Sequence, residues 1–503
     1  MKSAFRYLYM ALTIVLMVST VTPSYGKKVK QEPKAKYVFY LIGDGMGINE
    51  VSGTELYNKG VGIGQEKINF NHFPVRTFVT TFSSSSLVTD SAAGGTALAT
   101  GTKTYNGAIG VDSDKNPVST IAEWAKDSGV GVGIATSVGI NHATPASFYA
   151  HANDRNSYDT IARQLISSDV DFAAGGGFLV ESRTGLDATF YEQEARGEGI
   201  SIYYGAEDFK NVSVSDDRVI CFGGKNMGEL KFAVDQREGE TALKDFVSTG
   251  IDFLYGKFAK EGFFFMIEGG KIDSAGHNDD AVSCFQEVND FAAAIDVVLA
   301  FYEQHPDETL IVVTADHETG GLMLGAGQYE MHPDRLAGQK ISENEISNKF
   351  RQAFMPPTQP QRRGPGNGGG RPAGAPQQSQ QPQWTPPTWE EVKTFLKENL
   401  GLWDIVNVDK RTEEKFIEMY NSAFGGNGGD NEVRSLYSVN ARIVSEAVMY
   451  LDAAAGYQWA YGSHSGSPVG LYVNGVRAAE FNSCTDNTDI PKLIARIAGY
   501  EVK

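Results

Sequence analysis

The segment "KYVFYLIGDG" (residues 36–45) sets six apolar or aromatic residues in a row and then stops at Gly-Asp-Gly. A half-exposed strand would alternate apolar with polar residues, so an unbroken run predicts a strand buried on both faces. Three further stretches read the same way: "GVGIATS" (131–137), "FFFMIEGG" (263–270) and "TLIVVTADH" (309–317). Helical patterns separate them. Within residues 278–305, Phe285, Val288, Ala292, Ile295 and Leu299 recur at three- and four-residue spacing, which places them on one face of a helix. Alternation of buried strands and amphipathic helices predicts an α/β fold. The expected form is a largely parallel central sheet with helices on both faces (an α/β/α sandwich), plus an inserted subdomain.

Residues 1–26 stand apart from that pattern. Lys2 and Arg6 precede an apolar run from Tyr7 to Val21, with small residues at Ser24 and Gly26. This is the layout of a secretory signal peptide, its apolar core too short to read safely as a membrane span, with retention as an uncleaved anchor the alternative. The expectation is an exported chain, periplasmic or secreted, without stable membrane insertion. Removing the first 26 of 503 residues leaves 27–503, enough for one large α/β domain with insertions or for two to three ordinary domains, and for a core that needs no disulfide staples. The three cysteines, Cys221, Cys284 and Cys484, allow at most one intrachain bridge. Loss of Lys2 and Arg6 takes the net charge from −18 to −20, which argues against nucleic acid as a partner. An anionic small substrate stays open, because bound cations invert the local field.

Composition changes sharply between residues 355 and 388, where nine of the eighteen prolines fall among Gly and Gln. Such a segment buries too little apolar surface to offset its ordering entropy and reads as a flexible loop or linker. Helical segments follow around 389–400, 412–424 and 436–454. Residues 324–440 are accordingly expected to be an insertion, with strand-like chemistry resuming at "YGSHSGSPVGLYVNG" (461–475).

Acidic residues and histidines stand where the apolar runs stop. Asp44 closes the first, Glu268 the third, and Asp316 with His317 the fourth. The carboxyl ends of strands in an open α/β sheet share one edge, where ligands bind. Asp273 and His277 follow Glu268 closely and, four residues apart, share one face of a helical turn. Carboxylates and imidazoles gathered at one edge repel one another unless a cation lies among them. Imidazole with carboxylate suits zinc, and all-oxygen sets suit magnesium. His72, His151, His305 and His332 fit no such cluster and read as ordinary surface groups.

The stretch "LVTDSAAGGTALATG" (87–101) places one hydroxyl, Ser91, where a helix begins, with no histidine near it in sequence. A serine without a base can be activated by a metal ion that lowers its hydroxyl pKa. A helix N-terminus adds backbone N–H donors for an anion. Alone, Asp-Ser is an ordinary N-cap pair, and the stretch fits neither the Walker pattern nor the G-x-S-x-G elbow.

Six ordered motifs together resemble the alkaline phosphatase family: "GDGMG" (43–47), "VTDSAAGGTALATG" (88–101), "NHATPASFYAHANDR" (141–155), "EGGKIDSAGH" (268–277), "TADHETGG" (314–321) and "HSGSPVG" (464–470). The resemblance implies a phosphate-monoester hydrolase with Ser91 as the nucleophile that is phosphorylated in turnover. It implies two zinc ions, one on Asp273, His277 and His464, the other on Asp44, Asp316 and His317. It implies one magnesium on Asp44, Thr144 and Glu268, with Arg155 gripping two phosphate oxygens and Asp90 orienting it. A homodimer is also implied. His142 follows the animal-type pattern where the enteric bacterial form has aspartate, which bears on the third metal. Ser274 replaces the lysine or histidine of those branches, which predicts weaker phosphate binding. A phosphodiesterase or sulfatase of the same superfamily, and an exported zinc- or phosphate-binding protein without catalysis, are the alternatives. The combination of Ser91, Arg155, Thr144 and Glu268 favours monoesters.

Overall fold

A computed structural model describes residues 32–63, 66–325, 329–355, 384–424 and 430–502, without the side chains of 430–441. The expected signal peptide (1–26) and most of the Pro-rich segment (356–383) lie outside the described residues.

The central sheet has nine strands: β1 (Tyr37–Gly43), β2 (Val75–Val79), β3 (Gly131–Thr136), β4 (Phe172–Gly175), β5 (Ile200–Tyr204), β6 (Arg218–Phe222), β7 (Phe263–Gly269), β8 (Thr309–Thr314) and β9 (Val469–Gly475). Their spatial order is β2-β9-β8-β1-β7-β3-β4-β6-β5. All neighbouring pairs are parallel except those of β9, which runs antiparallel to both β8 and β2. This is the expected largely parallel α/β sheet, with one reversed strand.

Every residue of β1, β3, β7 and β8 is buried, so both faces of the centre are covered. The aromatic rings show by what. On one face Tyr37 and Phe39 pack edge-on against Phe301 of the helix Ala281–Gln304. On the other, Tyr40 meets Phe148, which stacks on Phe264. Each such ring contributes roughly 1.5–3 kcal/mol by leaving water. The three cysteines are all buried and free.

Parallel pairing in register aligns the strand ends: Ile42 of β1 lies opposite Glu268 of β7 and Thr314 of β8. The residues that follow, Asp44 and Asp316, therefore emerge at the same edge as Glu268. Because β9 runs the other way, its beginning lies at that edge too, and His464 just precedes it.

Between the short strand Met323–Leu324 and its antiparallel partner Tyr457–Gln458, the chain makes a helical excursion. It includes Glu343–Phe354, Trp389–Leu400, Lys410–Phe424 and Asp430–Ala455, the last of which runs across position 440. Phe350, Phe354, Phe395 and Phe424 form its own aromatic cluster. No helix among the described residues is long and apolar enough to cross a membrane.

Candidate active site

Three acidic and imidazole groups meet at the strand-end edge. They are Asp273 with His277 and His464, Asp44 with Asp316 and His317, and Asp44 with His142 and Glu268. The donor atoms of each group lie within 4.8 Å of one another. All eight residues named from sequence as metal ligands are gathered here, together with Ser91, Asp90, Arg155 and His142. The other four histidines lie outside these groups. His151, for example, bonds Gly110 O and Glu123.

Local sequence explains each placement. Gly45 turns β1 away from the sheet with a left-handed φ of 72°, which an L side chain adopts only with strain. Its N–H donates to Asp316 Oδ1 at 3.2 Å, tying two strand ends together. Asp273 and His277 sit on the helix Lys271–His277. Their side chains meet at 3.4 Å, as four-residue spacing requires. Asp90 caps the helix Ser91–Thr100 by accepting from Ala93 N at 3.0 Å, and so holds Ser91 at its first turn.

The three imidazoles of the first two groups share one orientation. His277 Nδ1 faces Gly462 O at 3.1 Å and His464 Nδ1 faces Thr89 O at 3.0 Å. A carbonyl only accepts, so both Nδ1 atoms carry the proton and both Nε2 atoms are turned inward. Thr319 donates its hydroxyl to Asp273 Oδ1 at 2.5 Å and lies 3.2 Å from His317 Nδ1, which fixes the third ring likewise. Nδ1–H bonds of this kind orient metal-binding histidines.

Electrostatics in the cluster call for a cation. Burial, and then repulsion between neighbouring carboxylates, push Asp44 and Asp316 well above the usual range. Burial pushes Glu268 up to about 7, although the Thr136 and Thr144 hydroxyls favour its charged form. Asp316 Oδ2 and Glu268 Oε1 are buried with no hydrogen-bond partner, a costly state for a carboxylate oxygen. Asp273 is held below the usual range: burial opposes its charge, but the His277 hydrogen bond and the surrounding imidazoles outweigh it. Imidazole nitrogens turned toward carboxylates fit zinc at the first two groups, and in the second Asp316 Oδ2 has no hydrogen-bond donor of its own. Thr144, 3.3 Å from Asp44 Oδ2, completes an oxygen-rich third group with Glu268, beside which His142 stands.

Ser91 Oγ lies 3.1 Å from His317 Nε2 and 3.5 Å from Asp44 Oδ1. The histidine missing near Ser91 in sequence is thus present in space. It is a poor base, because burial and then the neighbouring His464 push His317 well below its ordinary pKa. Arg155 Nη1 donates to Asp90 Oδ2 at 2.9 Å, and its Nη2 lies 3.2 Å from His142 Nε2. Burial opposes the guanidinium charge, and Asp90 outweighs it. Burial and then Arg155 lower His142 to about 4, so this ring is neutral and accepts from Nη2.

Sequence reading missed Thr136 and Thr319. Thr136 ends β3 directly opposite Glu268 in register and donates to it. Thr319 stands two residues beyond His317, inside a quoted motif. Strand-end position was the available signal for both.

Residues 35–500 match the family model described as Alkaline phosphatase. The alkaline phosphatase of Schizosaccharomyces pombe is 33% identical over 351 residues, covering 65% of this chain and 64% of that protein. The chain thus spans just under two thirds of that relative's length. Alkaline phosphatase 3 of Bacillus subtilis is 28% identical over 495 residues, covering 95% of this chain and 92% of the relative. Among solved structures, a cold-active alkaline phosphatase from a psychrophilic Shewanella species superposes with a TM-score of 0.71. It is 27% identical, covering 92% of this chain and 99% of its own.

Proposed function

The chain belongs to the alkaline phosphatase family, and from that premise we propose that it is an exported phosphomonoesterase working through a phosphoserine on Ser91. The observation that carries this reading is the Ser91 hydroxyl at a helix N-terminus within 3.5 Å of ligands of the second group.

Asp273, His277 and His464 would hold one zinc ion, and Asp44, Asp316 and His317 a second. Asp44, Thr144 and Glu268 would hold magnesium. Ions so held supply Lewis acidity, lowering hydroxyl and water pKa values and balancing charge on phosphoryl oxygens. Asp90 and His142 aim Arg155, whose planar fork binds two phosphate oxygens as a lysine could not. Ser91 Oγ attacks phosphorus in line, the bond to the ester oxygen breaks, and the alcohol leaves. Water then attacks the phosphoserine from the opposite side, releasing phosphate and restoring Ser91. The suppressed basicity of His317 supports activation of Ser91 by a cation rather than by a general base.

Around this centre we assign residues 1–26 to a signal peptide and 27–503 to the catalytic domain, with 324–440 inserted in it. The destination is periplasmic or secreted, and the assembly a homodimer.

Initial rates on an aryl phosphate monoester and the matching diester, with zinc- and magnesium-loaded protein, test this reading. Monoester turnover should dominate and fall by at least about 10³-fold in Ser91→Ala. Diester preference would move the chain to the diesterase branch of the superfamily. Zinc binding with no turnover of either ester would make it a binding protein.

A further inference from the structure

Next to the ligand cluster, and outside it, stands a buried carboxylate with no part in the chemistry above. Glu318 directly follows His317 and is 5% exposed. It opens the two-residue strand Glu318–Thr319, which pairs antiparallel with His464–Ser465. Thr319 lies opposite His464, and Glu318 opposite Ser465. Glu318 Oε1 accepts from the backbone N–H of Gly321 at 2.7 Å and of Leu322 at 3.4 Å. Its Oε2 accepts from the Ser465 hydroxyl. One side chain therefore pins the turn after Thr319 and the strand that carries His464.

So short a ribbon has too few ladder bonds to keep its own register. The next residue, Thr319, on the opposite face of the strand, reaches Asp273 and His317. The ribbon consequently positions three of the ligands read above. Behind Glu318 stands Glu50, 1% exposed, whose two carboxylate oxygens have no hydrogen-bond partner. Gly47 separates the pair so closely that a Cβ there would come within 2.4 Å of both Glu318 Cγ and Glu50 Oε2. That packing closes one side of Glu318 against the Gly47 backbone.

We propose that Glu318 is a positioning residue for the metal centre, holding His464, and through Thr319 also Asp273 and His317, in the arrangement a divalent ion requires. It touches neither substrate nor the reacting atoms. Without the clamp, a binding ion has to order the ribbon itself, and affinity falls. The inference rests on the reading of Asp273, His277 and His464 as zinc ligands.

The test uses the full chain, stripped of metal and reloaded. Zinc affinity is measured by competition with a chromophoric chelator, and ¹¹³Cd spectra are recorded on cadmium-loaded protein. The resonance that disappears in His277→Ala belongs to the Asp273–His277–His464 site. Glu318→Ala should weaken zinc at that site by about 10- to 100-fold and shift its cadmium resonance. Glu318→Gln keeps an acceptor for Gly321 and a polar atom for Ser465, and should restore both to within a few-fold of wild type. Unchanged affinity and resonance in Glu318→Ala would overturn the proposal, even if thermal stability falls. Should that variant not fold, Ser465→Ala removes only the clamped hydroxyl. Weaker zinc binding there supports the clamp, and unaltered binding refutes it. Wild-type protein that takes up no ion at the three residues would instead sink the ligand reading on which the clamp depends.

Discussion

His277 and His464 turn their Nε2 atoms toward each other across 3.2 Å, each held that way by a backbone carbonyl on its far side. Two neutral rings so placed repel, and either a proton or a metal ion must lie between them. The hydrogen bond to Asp273 pushes His277 up to about 9, so in metal-free protein its Nε2 carries a proton at neutral pH, donated toward Asp273 where an ion would otherwise sit. Zinc has to displace it. Apparent zinc affinity at this site should therefore rise with pH, by up to about tenfold per unit, and level off above about 9. The sign is opposite for the metal-free fold. A raised imidazole pKa contributes stability in full below the ordinary histidine range, and that contribution is lost as pH rises through about 9. Zinc titrations between pH 6.5 and 9.5 check the slope, and a flat profile would mean that the two rings do not share an ion.

Chelation should destabilise the protein most at high pH. Asp44, Asp316 and Glu268 are buried with pKa values raised by burial, so they bind protons in the folded state that the unfolded chain has released. Folding without a cation becomes harder as pH climbs from the ordinary carboxylate range through the folded values, about 7 for Glu268. Bound metal removes that cost. It stabilises by about 4 kcal/mol where free metal exceeds Kd a thousandfold. The gap in Tm between metal-loaded and chelated protein should widen between pH 5 and 8. A gap that is constant or narrows over that range would show that these carboxylates are not the ion's ligands.

Asp44, Glu268 and Asp316 were legible because each ends or just follows an unbroken apolar run, and a parallel register carries such ends to one edge. Periodicity could not deliver His464. It precedes β9, whose reversed direction is fixed by pairing with β8 and β2 and leaves no mark in the local pattern. Only the motif "HSGSPVG" pointed to it. Thr136 and Thr319 carried only a weak signal, for another reason. Threonine is common at strand ends, and its role depends on what the fold brings against it, Glu268 opposite Thr136 and Asp273 beside Thr319. The same limit applies to the helix Asp430–Ala455, whose end is set by the ribbon that receives it at Tyr457–Gln458. The cysteine count allowed a bridge that burial in separate parts of the core does not form.

Arg155→Lys should damage substrate binding more than the fold. Arg155 uses one terminal nitrogen toward Asp90 and the other toward His142, which fixes the plane of the fork, and N–H groups remain for the substrate. Lysine cannot satisfy both partners and still present two parallel donors. Lost hydrogen bonds between charged groups are worth about 1.5–3 kcal/mol. kcat/KM for an aryl phosphate monoester should fall about 10- to 100-fold, chiefly through KM. A diester has one charge fewer to place and should lose less. Equal losses on both substrates would remove Arg155 from phosphate recognition and leave it a structural partner of Asp90.

Gly94 offers the most discriminating single substitution near Ser91. In an isolated helix, alanine for glycine stabilises by about 1 kcal/mol. Here a Cβ at Gly94 would lie 3.0 Å from the Asp316 carbonyl oxygen and 3.1 Å from its Cβ. The glycine therefore sets how closely the helix carrying Ser91 approaches the strand end that carries Asp316. Overpacking at such a contact costs about 1–3 kcal/mol, so the net change in stability should be small. Function should respond far more, since a misplacement near 1 Å costs about 10²-fold in rate. Gly94→Ala is expected to lower kcat at least about tenfold, with zinc binding weakened at Asp44, Asp316 and His317. Gly197→Ala, at a helix end with open space around its Cβ position, is the control and should leave both unchanged. A Gly94→Ala enzyme with normal kcat and normal zinc affinity would show that the helix and the Asp316 loop adjust freely, so the 3.0 Å approach would not be what places Ser91.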